Sequence, residues 1–86
     1  MKVEQFEGRN GAVKNQFRLH LDDGSIAFQS YNSVISIIKQ GKVTLDRNTW
    51  DYSTTTGKYR NLFLGESKKE TEAKISSGEY ELANLN

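Results

Sequence analysis

NTWDYSTTTGKYRNLFLG, running from Asn48 to Gly65, is the stretch where strand-like sequence gives way to helix-like sequence. It holds the only tryptophan, two of the four tyrosines and a run of hydroxyls, with Lys58 and Arg60 among them. Ser53 is a natural helix N-cap: its hydroxyl can accept from the amide of Thr55 or Thr56, and Thr54 can do the same one residue later. Tyr59, Leu62 and Phe63 then recur at i, i+3 and i+4, the pattern of one apolar helix face. Gly65 can take the left-handed conformation that ends a helix. Gly57, inside the first turns, weakens the helix by up to about 1 kcal/mol relative to alanine. The spacing predicts a helix over residues 54–64, held by packing more than by intrinsic propensity.

Upstream of this stretch the sequence alternates. Phe17, Leu19 and Leu21 interleave with Arg18, His20 and Asp22, and Ile26 and Phe28 continue the pattern beyond Asp23-Gly24. A two-residue turn there sets Leu21 opposite Ile26 and Leu19 opposite Phe28 on a core face, with His20 against Ala27 and Arg18 against Gln29 on a solvated one. Residues 2–7 read as a shorter strand followed by the hairpin dipeptide Asn10-Gly11. A tight turn at that dipeptide puts Glu4 opposite Phe17 and Asn15 opposite Phe6, a mismatch of polar with apolar that a bulge at Gly8 would repair.

SYNSVISIIKQGKVTLD, Ser30 to Asp46, admits two readings. Asn32 or Ser33 could cap a helix over Val34, Ile35 and Ile38 that ends at Gly41. The alternative is a hairpin joining 34–39 to 42–46 around Gln40-Gly41. The density of β-branched aliphatic residues and the shortness of the segment favour the hairpin. Downstream, Ser67 and Glu70 form a capping box and Gly78 closes a helix over about 68–77, thin in apolar residues and so a surface helix. Tyr80 and Leu82 alternate as a last short strand or a tail packed back on the sheet. The expected fold is therefore α+β: an antiparallel sheet of four to six strands built from hairpins, then one or two short helices, in a single small domain over 1–86.

Composition narrows function mainly by exclusion. Twelve basic residues against eleven acidic ones leave a net charge of +1, with no global attraction to nucleic acid or anionic membrane. The absence of cysteine removes disulfides, thiolate metal sites and thiol nucleophiles, and suits a reducing compartment. No apolar signal core opens the chain and no run approaches transmembrane length, so the expected location is cytoplasmic. The single histidine, His20, lies on the solvated side of its strand with no nucleophile to activate, and the carboxylates are scattered rather than ligand-spaced. No catalytic residue, metal or cofactor is expected.

Binding remains, and Asn48–Gly65 supports three readings of it. A helix N-terminus with free amides, several hydroxyls, Lys58 and Arg60 could hold a phosphate. Trp50, Tyr52 and Tyr59, rimmed by Thr55, Thr56, Lys58 and Arg60, could anchor a protein partner. Plain capping and core packing explain the same residues without any ligand. Gly57-Lys58 is not a nucleotide loop, because the GxxxxGK[ST] frame is absent and Tyr59 stands where the magnesium-binding hydroxyl belongs. Nucleic acid is the alternative partner: between Lys39 and Arg60, five basic residues face two acidic ones, interleaved with aromatic rings suited to stacking. No RNP motif or recognition-helix signature accompanies them.

The segments SYNSVISII, WDYSTTTGKY and NLFLG together resemble a family of small bacteriophage proteins from phages of Gram-positive bacteria. In that family a Ser-Tyr-x-Thr/Ser segment precedes a Tyr-Ser-x-Thr-Thr-x-Lys-aromatic/His segment and a Phe-Leu. The matching positions are Ser30, Tyr31, Ser33, Tyr52, Ser53, Thr55, Thr56, Lys58, Tyr59, Phe63 and Leu64. Gly57 departs from the pattern, standing where a serine or another helix former is expected. The resemblance covers the middle third to half of the chain and implies a phage accessory protein acting on a host macromolecule in the host cytoplasm, a protein above all. Its motifs carry no chemistry of their own.

Overall fold

The computed structural model describes all residues from Met1 to Asn86. Six strands form one sheet in sequence order: β1 (Lys2–Gly8), β2 (Gly11–His20), β3 (Ile26–Ser30), β4 (Ser33–Lys39), β5 (Lys42–Asp46) and β6 (Glu81–Ala83). Two helices, α1 (Thr54–Leu64) and α2 (Lys68–Ser76), lie between β5 and β6. The first five strands pair antiparallel, whereas β6 returns parallel to β5, with the helices as the crossover. The fold is α+β, as the alternating patterns and the two capping signals imply.

The 30–46 segment is the hairpin. Lys39 pairs with Lys42 across Gln40-Gly41, both with positive φ (51° and 77°), as a two-residue turn matched to the strand twist requires. One extra residue, Ile35, interrupts the β3–β4 ladder: Phe28 pairs with Ser36 but Gln29 pairs with Val34. The bulge lets consecutive Ile35 and Ser36 both become fully buried.

The β2–β3 register differs by one residue from the alternation-based expectation. Leu19 pairs with Ala27, and Phe28 with Arg18. The turn is five residues long, Leu21–Ser25, because Asp23 accepts bonds from both the amide and the hydroxyl of Ser25, and the Leu21 amide donates to the Ser25 carbonyl. Local side-chain bonding of this kind competes with the tight turn and wins. A one-residue shift moves a strand's side chains to the other face, so Phe17 and Leu19 do not share a face with Phe28.

The first hairpin also turns elsewhere than at Asn10-Gly11. Gly8 pairs with Gly11, so the turn residues are Arg9 and Asn10. The irregularity sits not at Gly8 but between Gln5 and Glu7, opposite the span from Ala12 to Phe17, where Asn15 adopts a φ of 65°. It carries Phe6, 2% exposed, into the core.

That core is small: Phe6, Phe28, Ile35 and Tyr59, with Val13, Trp50 and Phe63 packed against it. Phe6 meets Phe28 and Tyr59 edge-on at centroid distances of 5.4 and 5.5 Å, and Phe28 lies 5.7 Å from Phe63 of α1. Helix α1 thus covers the Phe28 side of the sheet. The cross-strand row Val3, Leu19, Ala27, Ile37 and Thr44 lies on the other side, with no helix over it.

Candidate functional site

Helix α1 is built as its sequence indicates at both ends. Ser53 Oγ accepts the Thr56 amide at 3.1 Å, and Gly65 closes the helix at φ 71° with its amide on the Asn61 carbonyl. Its inward face differs from the Tyr59–Leu62–Phe63 stripe. At about 100° per residue, the buried arc is the one holding Thr56, Tyr59, Arg60 and Phe63, which leaves Leu62 outside and 54% exposed.

Three of the seven candidate contact residues are therefore interior. Thr56 is fully buried and its hydroxyl bonds both Ser30 Oγ on β3 and Ser53 Oγ, each at 2.9 Å. Tyr59 completes the aromatic core. Arg60, 1% exposed, donates from Nη1 to the Trp50 carbonyl at 2.7 Å and to Asp51 at 3.1 Å, and from Nη2 to Asn61 at 3.0 Å. Its guanidinium carbon stands 5.2 Å from the centre of the Trp50 ring. These groups hold α1 on the sheet and present no surface to a partner. Trp50 is half-buried against the core, so its ring is shared between the interior and solvent.

Tyr52, Thr55 and Lys58 are exposed. Tyr52 and Leu62 line one open depression of about 780 Å³, together with Asp51, Ser53, Lys58 and Lys68. Leu62 is the residue that periodicity alone misplaced, since i+3 from Tyr59 looks inward until Arg60 claims that side. Asp51 bridges the two helices: Oδ1 meets Arg60, and Oδ2 lies 2.7 Å from Lys68 Nζ at the start of α2. Burial pushes the Asp51 carboxyl upward, but the bonds from Lys68 and Arg60 outweigh it and the net direction is down. The local excess of five basic over two acidic residues between Lys39 and Arg60 is thereby reduced at the surface. Arg60 is neutralised internally and Lys39 pairs with Asp23 at 3.4 Å.

A second carboxylate secures the far end of the helical layer. Glu66 accepts from Tyr80 Oη at 2.8 Å, from Lys74 Nζ at 2.7 Å and from the Thr71 hydroxyl. Ser67 and Glu70 complete the reciprocal capping box that starts α2. The helix buries only Thr71, so it is held by these polar ties more than by apolar contact. A third carboxylate, Asp46, takes the amides of Asn48, Thr49 and Leu85 and the Thr49 hydroxyl, tying the end of β5 to the segment after β6.

His20 pairs with Glu4 at 3.0 Å on the sheet. No group of three or more His, Cys, Asp or Glu side chains is placed to hold a metal. No helix is long and apolar enough to cross a membrane.

No curated protein and no solved structure matches the chain. One family model does, described as a family of unknown function, and it spans residues 1–80. With that much of its length matched, the chain belongs to the family of unknown function DUF8033.

Proposed function

We propose that this protein is a non-enzymatic, phage-type accessory protein that binds a host protein in the host cytoplasm and blocks or modulates it. The contact surface is the outer side of α1 and the segment before it: Tyr52, Thr55, Lys58 and Leu62, with the exposed edge of Trp50. One observation carries this reading. Tyr52 and Leu62, two of the few large apolar side chains left substantially exposed (48% and 54%), stand on the same depression. A tyrosine at the centre of an interface can contribute roughly 2 kcal/mol or more when buried, with Leu62 as the apolar surround that excludes water from it.

The segments that resemble phage proteins support the reading in a divided way. Ser30, Ser53, Thr56, Tyr59 and Phe63 hold the helix to the sheet. Tyr52, Thr55 and Lys58 from the same segments remain outward.

The test is affinity capture from a Gram-positive bacterial lysate, run in parallel with nuclease treatment. A discrete protein retained by the wild-type chain, insensitive to nuclease and lost with Tyr52→Ala/Leu62→Ala at unchanged thermal stability, is the expected result. Capture that disappears with nuclease would shift the assignment to nucleic acid, and capture untouched by the double variant would remove this surface from consideration.

A further inference from the structure

The depression that Tyr52 and Leu62 share is also the site of an uneven charge distribution. Lys58, Arg60 and Lys68 line it against a single carboxylate, Asp51. Asp51 is already engaged by Arg60 and Lys68. Lys58 has no acidic partner; its ammonium rests 5.4 Å from the Tyr59 ring centre. The recess therefore carries two positive charges beyond what its own residues neutralise.

Gly57 adds an independent observation. It sits inside α1, where glycine is the least favourable residue after proline, and its φ is not positive. The backbone therefore does not require it. A Cβ at this position would stand 3.6 Å from Arg60 Nη2 and 3.8 Å from Nη1, in ordinary contact. Any larger side chain would roof the guanidinium on the side facing the recess, and Gly57 itself lines that recess. Arg60 Nε is also buried without an acceptor. The helix thus gives up intrinsic stability at a position that lines the recess, while Arg60 beneath it is 1% exposed and the charge offered to a partner is that of Lys58 and Lys68.

We infer that this recess receives an aspartate or glutamate side chain from an extended segment of the protein partner. This rests on the reading of the Tyr52–Leu62 surface as a protein-binding face. The partner's carboxylate lies between Lys58 and Lys68, and an apolar neighbour in the same segment rests on Tyr52 and Leu62. Charge complementarity of this kind sets orientation and on-rate more than total affinity, so the pairing selects among partners that share the apolar anchor.

The experiment is an amide NMR titration of the full-length chain with a terminally blocked peptide of alternating leucine and glutamate. The leucine–glutamine peptide and inorganic phosphate serve as separate probes. The expected result is saturable shifts at Gly57, Lys58 and Lys68 with the glutamate peptide, weakened at least tenfold by glutamine replacement or by Lys58→Glu, and weakened by added salt. Gly57→Ala should fold with a higher thermal midpoint yet bind the glutamate peptide less well. Equal shifts with the glutamine peptide, equal shifts with phosphate alone, or none up to millimolar peptide would overturn the inference. If Tyr52→Ala abolishes capture of the protein partner while Lys58→Glu leaves it intact, the binding face stands and the acidic segment does not.

Discussion

The hydroxyls of Ser30 and Thr56 lie 2.9 Å apart with both residues fully buried, and this bond joins β3 directly to the first turn of α1. Ser53 Oγ donates to the same Thr56 oxygen and accepts its amide, so helix cap and sheet contact form one relay. Replacing Thr56 by valine keeps the shape but leaves the Ser30 hydroxyl without its partner in the interior. The expected loss is about 1–3 kcal/mol, read as a lower denaturant midpoint with an unchanged slope.

Arg60 and Lys58, two residues apart, should behave oppositely. Arg60→Ala removes an ion pair, two charge-assisted hydrogen bonds to neutral acceptors and the cation beside Trp50. A fully sealed pair would lose about 3–5 kcal/mol on breaking, but Asp51 keeps a third of its side chain exposed (32%). A loss of about 2–3 kcal/mol is expected on that account. Lys58→Ala should stay within about 0.5 kcal/mol of wild type. Urea denaturation followed by Trp50 fluorescence measures both, and equal effects would contradict the division into interior and surface cations.

Acid should loosen α2 before the sheet. The Glu66 carboxyl is pushed up by burial, but the bonds from Lys74, Thr71 and Tyr80 outweigh this and hold it below its ordinary value of 4.5. Asp51 is likewise held below 3.8. A depressed folded-state pKa gives stability that is complete above the unfolded value and is lost as pH falls through the folded one. Protection of the α2 amides, taken as the intrinsic exchange rate over the observed rate at each pH, should therefore be flat from neutrality down to about pH 5 and fall below the ordinary carboxyl range. Protection that is unchanged down to pH 3 would show that α2 does not depend on these carboxylates.

Gln16 is the interior's least satisfied residue. It is fully buried in β2 and neither amide atom has a hydrogen-bond partner within the chain. Gln16→Leu should raise stability by about 1 kcal/mol, since replacing an unpaired polar group by an apolar one of similar size removes its desolvation cost. Thermal melts of the two chains decide it, and a fall in midpoint would mean that the amide is paired in solution.

Local chemistry made the ends of the elements legible and tertiary chemistry hid their inward faces. Ser53, Gly65 and the Ser67–Glu70 box fix conformation within a few residues, so both helices could be read directly, whereas β-branched residues only favour the 33–46 hairpin over a helix. The one-residue slip of β2 against β3 depends on Asp23 bonding Ser25 instead of forming a two-residue turn, a competition that alternation does not reveal. The inward arc of α1 depends on Arg60 finding Trp50 and Asp51 across a loop, which makes a basic residue core and an aliphatic one surface. The alternation of Tyr80 and Leu82 suggests a last short strand, but its parallel pairing with β5 has no local signature. For the same reason the candidate site was legible as a stretch but not residue by residue. Tyr52, Thr55 and Lys58 are outward, Trp50 is half-covered, and Thr56, Tyr59 and Arg60 belong to the interior.

Two faces of the molecule present apolar groups: the α1 recess, and the uncovered sheet row of Val3, Leu19 and Ile37. A photo-reactive amino acid placed at exposed Thr55, next to Thr54 at the edge of the first, and at Gln29 on the second distinguishes them in one irradiation of the captured complex. An adduct with the partner from position 55 and none from position 29 is the predicted result. An adduct from position 29 alone would place the partner on the bare side of the sheet and contradict the account.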